Sequence, residues 1–394
     1  MARTPQHPFS FIDVDGLLSE EARDARDLAR RWVDDRIRPE IGGWYEAGTI
    51  PAKELAKELG DLGLLGMHLE GYGCAGAEAT TYGMVCHELE AGDSGLRSLF
   101  SVQGSLAMYA IHAFGSEEHK QEWLPQMAAG DAIGCFGLTE PDAGSDPGSM
   151  RTHATQTPSG DWILNGTKMW ITNGSLASVA VVWAKTDLGI RGFVVPTDTP
   201  GFRATNVHRK LSLRASVTSE LIMDDVHLPA SAVMPEVVGL RGPLSCLSEA
   251  RFGIVFGVMG AARDCLETAV EYAGTRVQFG SPIAGFQLVQ EKLANMAARL
   301  DTGTLLAIRL GHLKDAGKLP LPAISLAKMN NVSAARDIAR DARSILGGSG
   351  ITLDYSPMRH MDNLESVYTY EGTHDIHTLV VGEALTGIGS YRVN

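Results

Sequence analysis

The feature that most constrains this fold is the order in which the apolar periodicity changes along the chain. Up to about residue 133 the spacing is helical, from 134 to 238 it shortens into apolar runs between turn signals, and from 239 onward long helical stretches return. Strands gathered in one block, rather than alternating with helices, disfavour a doubly wound parallel sheet. The expectation is an α+β chain in three domains: an N-terminal helical domain over 1–133, a middle β domain over 134–238, and a C-terminal four-helix bundle over 239–394. With 394 residues and 44% hydrophobic content, the chain can bury such a composite core.

Local signals fill in the blocks. Ser19 is an N-cap ahead of the acidic first turn of a helix running toward Pro39, and Pro51 occupies the first position of the next. Further helices are expected near 78–91, 96–113 and 117–129. In the middle block, apolar runs at 162–164 and 167–172 flank Asn165-Gly166, which predicts a tight hairpin. Strands follow at 179–183, 192–196 and 221–226. The last block predicts helices near 243–274, 287–315, 323–346 and 373–388, the third of them ended by Gly347-Gly348-Ser349-Gly350.

Composition narrows the function. A formal net charge of −13 disfavours a nucleic-acid surface, which needs surplus Lys and Arg. Five cysteines (Cys74, Cys86, Cys135, Cys246 and Cys265) form no CxxC pair, so a reducing compartment is expected. Met1-Ala2-Arg3-Thr4-Pro5 leads into no apolar signal segment, and charges interrupt the apolar stretches, so a cytoplasmic protein without a membrane span is expected. A GxxxxGK[ST] loop, a strand-led GxGxxG and a GxSxG elbow are all missing. His374 and His377 lie three apart without a third ligand nearby, so capping or packing is expected of them and no metal site.

Three places remain for chemistry. An apolar strand at 134–138 runs into the polar, turn-rich Thr139-Glu140-Pro141-Asp142-Ala143-Gly144-Ser145-Asp146. That is either a plain loop or a cradle whose backbone N–H groups approach a flat heterocycle or a phosphate. Trp170 offers an apolar wall and Thr139 and Thr172 offer hydroxyls, although a strand Trp is ordinarily a core aromatic. Glu371 stands at a break before the last helix, either as a carboxylate stabilised by the helix N-terminus or as a general base aimed by the turn at Gly372.

These segments together resemble the acyl-CoA dehydrogenase family. The resemblance rests on Cys135-Phe136-Gly137-Leu138-Thr139-Glu140-Pro141 with Gly144-Ser145-Asp146, and on Lys168-Met169-Trp170-Ile171-Thr172-Asn173-Gly174. It continues in Arg276-Val277-Gln278-Phe279-Gly280 with Phe286-Gln287, and in Tyr370-Glu371-Gly372-Thr373. It implies the family fold, FAD as cofactor and α,β-dehydrogenation of an acyl-CoA. By the same resemblance Phe136, Leu138, Thr139, Trp170, Ile171 and Thr172 contact the flavin. Gly144 and Ser145 belong to the cofactor and acyl-CoA loop, and Thr373 to the cofactor side. Arg276, Phe279 and Gln287 would hold the ADP half of FAD from a neighbouring subunit, which implies a homotetramer. Glu371 is the implied catalytic base, and an electron-transfer flavoprotein the implied acceptor.

Glu88-Leu89-Glu90, Asp93-Ser94-Gly95, Arg97-Ser98, Ser101-Val102-Gln103 and the run from Tyr370 to His377 resemble the glutaryl-CoA dehydrogenase branch. That resemblance implies oxidative decarboxylation of glutaryl-CoA to crotonyl-CoA and carbon dioxide. Arg97 would grip the distal carboxylate, with Glu90, Ser98, Ser145, Arg251 and Tyr370 also around the substrate. The seven-residue separation of Glu90 and Arg97 places both on one face of a helix. Other readings stay open: a non-decarboxylating dehydrogenase or enoyl reductase for another dicarboxylyl or short acyl-CoA, an oxidase-like flavoenzyme, and a flavin-free binding protein on this scaffold.

Overall fold

The structure, a computed structural model, describes residues 11–389; the reading of residues 1–5 lies outside them. Helix α1 (Glu20–Trp32) starts where its cap requires, with Ser19 Oγ accepting from Ala22 N at 3.2 Å. It widens into a π-helical turn at Val33–Ile37, then α2 (Ile41–Ala47) and α3 (Ala52–Asp61) follow. Pro51 stands one place earlier than expected, as the N-cap of α3. A small hairpin, β1 (Glu70–Gly71) and β2 (Cys74–Ala75), leads to α4 (Ala79–Gly92) and α5 (Ser94–Ser101). A second π-helical turn at Val102–Met108, then α6 (Tyr109–Phe114) and α7 (Glu117–Ala128), complete the N-terminal helices.

The middle segment holds β3 (Gly134–Gly137), β4 (His153–Gln156), β5 (Trp162–Thr172), β6 (Val179–Thr186), β7 (Gly189–Pro196), β8 (Phe202–Asn206) and β9 (Thr218–Leu228). They form one sheet in the order β3-β6-β4-β5-β9-β8, with β7 on β6. Both faces of its centre are buried. Val179, Val181 and Trp183 pack toward the helices, while Ala180, Val182 and Ala184 face a second apolar layer, so β6 reads as an unbroken apolar run. The expected hairpin at Asn165-Gly166 is not one. β5 runs straight through it, and the pair forms a bulge against β9. Asn165 exchanges two hydrogen bonds with Asp225, and Gly166, at φ 146°, lies so close to Thr152 that a Cβ would come within 2.4 Å of its hydroxyl. A long-range partner has taken the Asn-Gly pair out of the turn it favours locally.

After α8 (Arg241–Thr275) comes a small hairpin of β10 (Val277–Gln278) and β11 (Ser281–Pro282). Then follow α9 (Gln287–Asp315), α10 (Leu321–Ile345), α11 (Ser356–Thr369) and α12 (His374–Thr386). The described bundle therefore has five helices, and α11 is the one the sequence reading lacked. By length and composition α8 could cross a membrane, which the sequence reading did not anticipate. Here 67% of its apolar window is buried, and the helix lies along α4 and α10 as the spine of the molecule. Gly257 and Gly260 permit that closeness: a Cβ would come within 2.1 Å of Glu90 Oε2 at the first and 1.7 Å of the His87 carbonyl at the second.

Candidate active site

Glu90 and Arg97 do not share one helix. Asp93, at φ −167°, breaks the path between α4 and α5, so the two residues come from two helices meeting at a kink. The Asp93 carboxylate caps α5 through Gly95 N at 2.6 Å. It also takes hydrogen bonds from Arg359 and Asn363 of α11. The kink turns the pair toward each other, and Arg97 Nε donates to Glu90 Oε2 at 2.7 Å with both residues fully buried. Glu90 Oε1 accepts from Ser94 Oγ at 2.8 Å, and Arg97 also donates to Ser101 Oγ and to the Tyr370 hydroxyl. Burial opposes the Arg97 charge, but Glu90, Tyr370 and Glu371 together outweigh it and keep the guanidinium protonated. Ser98 is buried, its side chain beside the Tyr370 hydroxyl.

Tyr370 links this pair to Glu371. The loop between α11 and α12 carries Glu371 at φ 53° and Gly372 at φ 88°, two left-handed residues in a row. Thr373 then caps α12, its hydroxyl accepting from Ile376 N at 3.2 Å. Arg251 Nε donates to the Glu371 carbonyl at 2.7 Å. Glu371 Oε2 is buried without a partner. Burial raises the Glu371 carboxyl above the usual carboxylate range, against the pull of Arg97, Lys328 and Arg251. Burial also pushes the Tyr370 hydroxyl up to about 12.

The other expected site residues fall into two groups. On β3, just past its end and on β5, the Phe136, Leu138 and Ile171 side chains are buried in core clusters. Thr139 and Thr172 are half-buried, Gly144 and Ser145 are exposed, and Trp170 is 57% exposed at φ 64°. This is no core aromatic. Met169 N donates to the Thr139 carbonyl at 2.8 Å, so the two segments form one ledge with the indole standing on it. Behind the ledge, buried Lys168 donates to Glu140 Oε1 at 2.8 Å and to the Leu138 carbonyl at 3.0 Å. An apolar wall beside hydroxyls and backbone polar groups fits the face and edge of a planar heterocycle. Arg276, Phe279 and Gln287 lie apart on the exposed β10–β11 hairpin and the start of α9, with Phe279 97% exposed.

Sequence reasoning missed Lys328, whose amine reaches the Tyr370 and Gly372 carbonyls. A signal was present: Lys328 falls on the same stripe of α10 as Ile324, Asn331, Val332 and Ala335, all of them buried. His377 is buried, with its ring nitrogens 3.0 Å from Ser325 Oγ and 3.2 Å from the Glu371 carbonyl, while His374 stacks on Tyr368. Among the described residues no group of three His, Cys, Asp or Glu side chains is arranged to hold a metal.

Comparison with known proteins decides the family. Residues 19–131, 135–226 and 238–386 match the N-terminal, middle and C-terminal domains of acyl-CoA dehydrogenases. The chain belongs to the acyl-CoA dehydrogenase family. The human mitochondrial short-chain specific acyl-CoA dehydrogenase is 39% identical over 351 residues, 87% of this chain and 84% of that protein. The solved glutaryl-CoA dehydrogenase from Mycobacterium smegmatis is 65% identical, with a TM-score of 0.95 over 96% of this chain and 97% of that one. A second structure of a glutaryl-CoA dehydrogenase from the same organism, in complex with FADH2, is 62% identical, with a TM-score of 0.96 over 98% and 99% of the two chains.

Proposed function

We propose that this acyl-CoA dehydrogenase oxidises and decarboxylates glutaryl-CoA to crotonyl-CoA and carbon dioxide, with Glu371 as its base. The family establishes the enzyme class, and FAD is the cofactor. The observation that carries the substrate reading is Arg97, a fully buried guanidinium hydrogen-bonded to Tyr370, the residue before Glu371. Three of its five N–H groups are committed to Glu90, Ser101 and Tyr370, leaving one on each terminal nitrogen for a ligand carboxylate. Two guanidiniums, Arg97 and Arg251, face Glu371. A dicarboxylyl chain brings a negative charge to pair with them, whereas an uncharged acyl chain brings none. The 65% identity to a glutaryl-CoA dehydrogenase supports the same substrate.

The chemistry follows from the environment of each group. An acyl-thioester α-proton is a weak acid, and a carboxylate whose pKa is raised by burial is a stronger base for it. Glu371 takes that proton, and FAD, when bound on the Trp170 ledge, would supply the hydride acceptor for the β-hydrogen. With the double bond formed, the electron pair of the bond to the γ-carboxylate flows into the enoyl thioester as carbon dioxide leaves, and a returning proton completes crotonyl-CoA. Arg97, held by Glu90 and Tyr370, fixes the carboxylate through both steps.

Thr139, Trp170 and Thr172 would line the flavin, with Phe136, Leu138 and Ile171 packed behind them and Gly144 and Ser145 forming the rim. Ser98 and Arg251 would lie near the acyl chain. The exposed Phe279, with Arg276 and Gln287, supports a cofactor site completed by a second copy in a homotetramer. The reduced flavin would pass its electrons to an electron-transfer flavoprotein.

Anaerobic titration of the flavin with glutaryl-CoA, with product analysis, tests this. Bleaching with crotonyl-CoA and carbon dioxide is the expected result. Glutaconyl-CoA as product would remove the decarboxylation, and faster bleaching by butyryl-CoA would replace the substrate reading by the short-chain one of the human relative.

A further inference from the structure

We infer that Lys328, together with His377, is a positioning residue for Glu371: it holds the base through the backbone carbonyls of its loop and leaves the carboxylate free for substrate. This rests on Glu371 being the base. Three successive carbonyls meet donors from three helices. Lys328 Nζ of α10 donates to the Tyr370 carbonyl and, at 2.8 Å, to the Gly372 carbonyl. Arg251 of α8 donates to the Glu371 carbonyl between them. His377 Nε2 of α12 approaches that same oxygen at 3.2 Å. A carbonyl only accepts, so Nε2 carries the hydrogen and Nδ1 accepts from Ser325 Oγ. Ser325 and Lys328 are three residues apart on α10, so one helix face sets both the lysine and the histidine tautomer.

The ordinary role of a buried lysine beside a carboxylate is an ion pair. The geometry departs from it: among the described residues Lys328 makes no salt bridge, and Glu371 Oε2 has no partner. The amine is spent on the main chain. That main chain needs holding, because Glu371 and Gly372 are consecutive left-handed residues and a non-glycine residue stays there only when its surroundings over-determine it. Burial lowers the Lys328 amine and, with the nearby cations, brings His377 to about 3, so the imidazole is neutral and one tautomer can be fixed. The charged and titratable groups facing Glu371 are Glu90 from α4, Arg97 from α5, Arg251 from α8, Lys328 from α10, the adjoining Tyr370, and His377 from α12.

The test is single-turnover flavin reduction by glutaryl-CoA in the holoenzyme, read as a maximal rate, a substrate Kd and a pH profile. Lys328→Met should slow reduction about 100-fold, the scale of a small misplacement of a reacting group, with Kd changed less than about threefold. The acid limb of the profile should move to higher pH, because a cation that favours ionised Glu371 has gone. Lys328→Gln, uncharged but able to donate two N–H bonds, should regain most of the rate and keep the displaced limb. A wild-type rate and limb in Lys328→Met, or a loss confined to Kd, would overturn the inference. If Lys328→Met does not fold, His377→Phe should slow reduction about tenfold at unchanged Kd, and an unaltered rate there would overturn it equally. Glu371→Gln separates the premise: if that variant still reduces its flavin at the wild-type rate, the base assignment fails whatever Lys328 does.

Discussion

The loop at Glu371 and the ledge at Trp170 are each built on a left-handed non-glycine residue, and they are held in opposite ways. The loop is gripped from inside the chain: Arg251, Lys328 and His377 reach its carbonyls from three helices, and Arg97 reaches Tyr370 from a fourth. The ledge is fixed only from behind, by strand pairing and the buried Lys168–Glu140 pair, and its aromatic face is open. On the proposed function, one chain completes the acid–base half of the site, while the other half is left to be finished by a planar partner. Contacts at the loop should therefore govern rate, and contacts at the ledge should govern cofactor retention.

The largest effect expected is that of Glu371→Gln. A positioned base contributes about 10²–10⁴-fold, so anaerobic flavin bleaching by glutaryl-CoA should slow by about a thousandfold. Stability should not fall with it. Burial raises the folded pKa of Glu371, so the fold disfavours the ionised form at neutral pH, and a neutral isostere leaves Tm equal or higher. Loss of rate together with a drop in Tm would mean that the carboxylate is structural, and the contrast between loop and ledge would collapse.

Arg97→Met comes next. It removes the partner of buried Glu90, a change that costs about 3–5 kcal/mol when a buried pair is broken from one side. It should also reduce kcat/KM for glutaryl-CoA about 100-fold while leaving butyryl-CoA turnover far less affected. Steady-state comparison of the two substrates with a thermal melt checks both parts; retained glutaryl preference would sink the assignment of the carboxylate grip.

The ledge has its own charge test. Burial alone would raise the Glu140 carboxyl, but the Arg151 and Thr152 N–H groups and Lys168 hold it down to about 2. Its folded pKa is therefore depressed, so its contribution to stability is complete above the usual carboxylate range and is lost as pH falls toward 2. Lys168→Met should raise the pH midpoint of acid unfolding, followed by circular dichroism. An unmoved midpoint would show that the two backbone N–H groups alone hold Glu140.

What was legible in the sequence divides along the same line. The helix–β–helix order and the Ser19 cap rest on local periodicity and local chemistry, and both are in the structure. Arg97 and Glu90 were paired correctly but by the wrong geometry: one helical face was expected, while the kink at Asp93 is held by Arg359 and Asn363 on the one helix not foreseen, α11. That helix is entered through Tyr355-Ser356-Pro357 after a glycine-rich run, so its local signals read as loop. Asn165-Gly166 failed for a related reason, since only Asp225, sixty residues on, turns it from a hairpin into a bulge. Lys328 was open to detection as a charge on an apolar stripe, but its target carbonyls lie more than forty residues away.

The smallest effect expected is at Trp170, and it separates the two halves most cleanly. Its indole is 57% exposed and rests on no core cluster, so Trp170→Ala should change the stability of the FAD-free protein by no more than about 0.5 kcal/mol. A buried aromatic would cost about 3–5 kcal/mol on the same truncation. An aromatic contact to a flavin is worth about 0.5–1.5 kcal/mol, so FAD should bind up to about tenfold more weakly. Reconstitution of the FAD-free protein, followed by quenching of flavin fluorescence, reads the affinity, and a melt without FAD reads the stability. Weakened binding with an unchanged melt means that the left-handed strain at Trp170 serves to present the ring. A lowered melt with unchanged FAD affinity means that the ring packs against protein, and the cofactor face must then be sought elsewhere on the sheet.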